Sequence, residues 1–184
     1  MGIVRQIKRN VQAYFIKRLQ AEETHVKAFE NLKLAKSLAM FFCINSKEEL
    51  NQVRKLTSRA LKDYRKLDVY IFGNSHDSFD VITNKAIFFF NLEDFTILGK
   101  KKERVDDFFK SKKHDFLISF DKTGLPICQR LISDIRAGFK IGLSLPDTQN
   151  LFNLSFEYVK EDFTFTKFYE QVIYYISVLN IKTK

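Results

Sequence analysis

Residues 114–143 constrain this chain most, because they read as a complete strand, helix and strand in one stretch. The run His-Asp-Phe-Leu-Ile-Ser-Phe at 114–120 is apolar, aromatic and of strand length. Helical spacing takes over at 125–137, and Phe-Lys-Ile-Gly at 139–142 returns to a strand. Two strands joined by a helix this short lie parallel, with a right-handed crossover. That predicts an α/β domain, Rossmann-like and three-layered, with a mostly parallel sheet. No residue in the stretch announces a reaction, so the sequence bounds the function without naming it.

The flanking chain repeats the alternation. Residues 38–44 are apolar on both faces, as a central parallel strand requires. Ser46 with Glu49 three positions on forms a capping box that opens a helix, whose buried side Leu50, Val53, Leu56, Leu61 and Tyr64 supply. Arg54, Lys55, Arg59, Lys62, Arg65 and Lys66 crowd its other side, as a solvated face or a polyanion contact. Residues 68–73 form the next strand, 86–90 and 95–98 shorter ones, and 103–113 a helix. A strand at 152–159 precedes a last helix at 165–180, capped by Asp162 or Thr164 and marked by Phe168, Val172, Tyr175, Ile176 and Leu179. The expected organisation is a basic amphipathic helical arm at 1–36 followed by one α/β domain at 37–184.

In the arm, Val4, Ile7, Val11 and Phe15 recur at spacings of three and four, with Arg5, Lys8, Arg9 and Lys17 around the remaining face. No acidic residue precedes Glu22. Such a helix packs across the domain with its charges solvated, binds nucleic acid, or lies on a membrane or partner helix. The chain as a whole has 31 Lys and Arg against 22 Asp and Glu, a net charge of +9 that favours polyanionic partners. Its 20 Phe are core filler, each contributing roughly 1.5–3 kcal/mol when buried. Cys43 and Cys128 are far apart and lack metal-ligand spacing, so they read as reduced, buried residues of a cytoplasmic protein. No apolar run approaches bilayer length, and the cations of the first segment argue against a secretory signal.

Open α/β sheets place ligands at the carboxyl ends of their strands. Two loops qualify, 74–80 with Asn74, His76 and Asp77, and 121–126 with Lys122, Thr123 and Gly124. In the second, N–H groups at the helix start could hold an anion, while Asp121 as a cap, Gly124 as a turn residue and Pro126 in the first helical turn give a purely structural account. Residues 44–49 lack the glycines of a dinucleotide turn and carry two carboxylates where a phosphate would sit. Walker, zinc and nucleophile-elbow motifs are absent, and His25, His76 and His114 fall on separate elements. No catalytic residue, metal or cofactor is therefore expected.

The segments 114–120, 125–126, 136–143 (Arg-Ala-Gly-Phe-Lys-Ile-Gly-Leu), Phe152-Asn-Leu and 175–180 (Tyr-Ile-Ser-Val-Leu-Asn) resemble an uncharacterised bacterial domain family of short proteins with a basic helical arm and no assigned activity. More distantly, 115–142 is similar to the acceptor-side Rossmann half of lipopolysaccharide heptosyltransferases, with an apolar strand, a helix of small and apolar residues, and a basic residue followed by Ile-Gly. The chain departs from that pattern in having no Gly-rich first turn and no second Rossmann domain. The resemblance implies the fold rather than transferase activity.

The functional expectation is a non-enzymatic, cytoplasmic binding protein that docks on structured RNA, with ribosomal RNA and ribosomal proteins as partners. Its contacts would be Arg5, Lys8, Arg9, Lys17 and Arg18 of the arm and Lys100, Lys101 and Lys102. The alternatives are a degenerate glycosyltransferase-like domain binding a phosphorylated or sugar ligand, and a protein-interaction subunit.

Overall fold

A computed structural model describes residues 35–73, 87–96, 100–110, 112–146, 148, 150–159 and 162–179. The expected helical arm lies outside these residues. What they form is one six-stranded sheet, every neighbouring pair parallel. In chain order the strands are β1 (Ser37–Ile44), β2 (Lys66–Gly73), β3 (Ile87–Phe90), β4 (His114–Ser119), β5 (Ala137–Leu143) and β6 (Leu154–Phe156). Across the sheet they run β3-β2-β1-β4-β5-β6, the order of a doubly wound Rossmann sheet. The helices are α1 (Lys47–Asp63), α2 (Glu103–Lys110), α3 (Pro126–Asp134) and α4 (Phe165–Leu179).

The sheet is central because alternate residues of its strands are apolar on both sides. Leu38, Met40, Phe42 and Ile44 of β1 pack with α1 and α4, while Ala39, Phe41 and Cys43 pack with α2 and α3. These two cores make the expected three layers. On the first, Phe42 stacks on Phe120 with ring centres 4.5 Å apart, and Phe165 meets both edge-on. The phenylalanines are thus largely the packing material their number suggested.

Helix boundaries follow local chemistry. Ser46 caps α1 by accepting from Glu49 N–H at 3.1 Å, and the Glu49 carboxylate accepts from Asn45 N–H at 2.8 Å. Thr164, rather than Asp162, caps α4 through Lys167 N–H at 3.2 Å. Pro126 occupies the first turn of α3, where its missing N–H costs nothing.

Several sequence expectations need correction. Leu61 is exposed and Ala60 buried in its place, because the inward stripe of α1 runs through Leu50, Val53, Leu56, Thr57 and Ala60. Tyr175 is likewise exposed, although its ring rests edge-on against Phe156; the buried α4 positions are Phe165, Phe168, Tyr169, Val172 and Ile176. Phe95 makes a single antiparallel bridge to Lys101 instead of starting a strand, and residues 97–99 lie outside the described set. The strand expected at 152–159 shortens to β6, because the Phe152 ring folds onto Gly142 and the Asn153 side chain takes a ladder position, accepting from Lys140 N–H at 2.7 Å.

Candidate functional site

Strand order reverses between β1 and β4, so the crevice at their carboxyl ends is the place where this fold receives ligands. Its rim is internally bonded. Lys122 forms a salt bridge with Glu49, joining the loop after β4 to the first turn of α1. Thr123 donates its backbone N–H and its hydroxyl to Asp121 Oδ1, at 2.8 and 2.6 Å, and its Oγ1 accepts from Leu125 N–H at 3.3 Å. Gly124 takes φ of +59°, which lets the chain turn sharply into α3. Asp121 closes the turn rather than capping α3, whose N-cap residue is Leu125. The structure therefore brings together Lys122, Thr123 and Gly124, with N–H groups at this turn engaged by Asp121 and Thr123. Asn74 and His76 lie outside the described residues.

Beneath the rim sits a group that sequence spacing did not reveal. Cys43 is the penultimate residue of β1, Asp121 follows β4 and Cys128 lies in the first turn of α3. One Sγ or carboxylate oxygen from each lies within 4.8 Å of the others, and all three residues are 3% exposed or less. Thr123 Oγ1 approaches Cys43 Sγ at 3.6 Å. Burial pushes up the pKa of both the Asp121 carboxyl and the Cys128 thiol, the thiol well above its usual range. Among the described residues this is the cluster whose donors could hold a metal ion. Eighty-four intervening residues hid it, since only the crossover topology makes β1 and the start of α3 neighbours.

The opposite end of the sheet is basic. Every strand starts there, so residues preceding different strands gather at one edge: Lys36 before β1, Arg65 and Lys66 at β2, and Lys113 before β4, all exposed. The last turn of α1 adds exposed Lys62. Lys66 N–H donates to Lys36 C=O at 3.0 Å, which fixes two of these cations side by side. Residues 1–34, with Arg5, Lys8, Arg9, Lys17 and Arg18, join the domain at this edge but lie outside the described set.

The second predicted basic group divides. Lys101 Nζ bridges Asp106 at 2.7 Å and Asp134 at 3.0 Å and lies 4.8 Å from the centre of the Phe109 ring, so its charge is held inside the domain. Lys100 and Lys102 are exposed. His114 is buried at the start of β4, its Nε2 3.2 Å from the Tyr70 hydroxyl and 3.5 Å from Asp68 Oδ2. Burial lowers its pKa to about 4 against the pull of Asp68, leaving a neutral core imidazole.

Residues 8–179 match the model of a family of unknown function, DUF6913. The chain belongs to that family. No curated protein and no solved structure matches it. None of these comparisons supports the heptosyltransferase similarity, and in this DUF6913 chain the residues it was drawn from serve packing. Lys140 Nζ donates to the carbonyls of Ile132 and Ser133, at 3.2 and 2.9 Å, closing the end of α3. Gly142 leaves room for the Phe152 ring, which a Cβ would strike.

Proposed function

We propose that this DUF6913 protein is a non-enzymatic, cytoplasmic binding protein that docks on structured RNA, with the ribosome as its place of action. The observation that carries the reading is the gathering of Lys36, Lys62, Arg65, Lys66 and Lys113 at the edge where residues 1–34 join the domain. An edge on which exposed cations outnumber the exposed acids Asp63 and Asp115, reached from a segment with no acidic residue before Glu22, matches the regular negative charge of an RNA backbone. The bonded rim at the switch point is consistent with a body that positions this surface rather than one that turns over a substrate. No helix among the described residues is long and apolar enough to cross a membrane.

The test is binding of the full chain to a structured ribosomal RNA fragment across a salt series. Affinity falls steeply with salt, and the Lys62→Glu/Arg65→Glu/Lys66→Glu variant loses about tenfold or more at moderate salt while keeping its circular dichroism. Wild-type protein that leaves RNA and ribosomes unbound at low salt overturns the proposal.

A further inference from the structure

We infer that Cys43, Asp121 and Cys128 form a buried binding site for a thiophilic divalent cation of the Zn²⁺ class. Their donor atoms come from three separate elements, the end of β1, the loop after β4 and the first turn of α3, and converge to within 4.8 Å of one another. Two sulfurs and a carboxylate oxygen at such separations suit an ion that binds sulfur at about 2.3 Å and oxygen at about 2.0–2.2 Å. Four-coordination is completed by the Thr123 hydroxyl, already 3.6 Å from Cys43 Sγ and 2.6 Å from Asp121 Oδ1, or by one trapped water.

The surroundings favour a cation over the alternatives. Among the described residues, the adjacent lysine, Lys122, is committed to Glu49 and so does not balance ionised ligands. Zn²⁺ offsets two of the three negative charges of the ionised ligands, and its binding releases their protons to solvent. The site is closed rather than open: Cys43 is 1% exposed, Cys128 0% and Asp121 3%. That closure fits a structural ion pinning β1, β4 and α3 together at the switch point, and it leaves no coordination position for a substrate. The inference is independent of RNA binding, which uses the other end of the sheet.

The experiment is metal analysis of the tag-free full chain, purified under reducing conditions without chelator. About one zinc per chain is expected in wild type, and less than about a tenth of that in Cys43→Ser/Cys128→Ser. The metal-stripped, reduced wild type should take up Co²⁺ with thiolate-to-cobalt charge-transfer absorption, weakened in Asp121→Asn. This titration decides the matter if the double serine variant fails to fold. A wild type that binds neither Zn²⁺ nor Co²⁺ overturns the inference, as does zinc retained undiminished by a folded double serine variant. A Cys43–Cys128 disulfide in the freshly isolated protein also overturns it.

Discussion

Gly142 shows how much a single position decides. The Phe152 ring rests against its Cα, and β5 continues into the sheet because no side chain intervenes. Gly142→Ala should cost about 1–3 kcal/mol in urea unfolding, through overpacking of an already filled core. Adding Phe152→Leu should recover part of the loss. His114 gives a pH signature of known sign. Its folded-state pKa of about 4 lies below the ordinary 6.5, so between these values the unfolded chain binds more protons than the native one. Stability from this group is therefore full above about pH 6.5 and declines as pH falls toward 4. The raised carboxyl of Asp121 acts with the opposite sign. Comparing wild type with His114→Gln isolates the histidine, and the urea midpoint of the variant should fall less over that window.

At the scale of elements, charges expected to face a partner can instead join helices. Lys101 links Asp106 of α2 to Asp134 of α3, and Arg130 shares Asp134 at 3.0 Å. Lys101→Met should lower the thermal midpoint and leave RNA affinity nearly unchanged. Lys100→Glu/Lys102→Glu should do the reverse, measured by the same melting and binding assays. The spacing of apolar residues was enough to find β1, β2, β4, β5 and the helices of the two cores. It misjudged Leu61 and Tyr175, because a side chain one position off the inward stripe is exposed by the angle at which a helix meets the sheet. It also extended β6, because a ring over a glycine and an asparagine side chain in the ladder break pairing in ways that residue type does not signal.

The described residues form two apolar cores sharing one sheet, with β1 in the middle of both. Its residues are so nearly completely buried that neither face can unravel without exposing the other. Far-ultraviolet dichroism and tyrosine fluorescence, which samples Tyr70 in one core and Tyr169 in the other, should report one coincident urea transition. Separate midpoints would mean that the faces unfold independently. The sequence by itself determined the layered α/β class and the parallel crossover at 114–143, because periodic burial and short connections are local properties of a chain. Only the tertiary structure decided that Cys43, Asp121 and Cys128 meet, that Lys101 turns inward and that cations from separate segments share one edge. Those facts arise from strand order, and strand order is set by which distant segments pack beside each other.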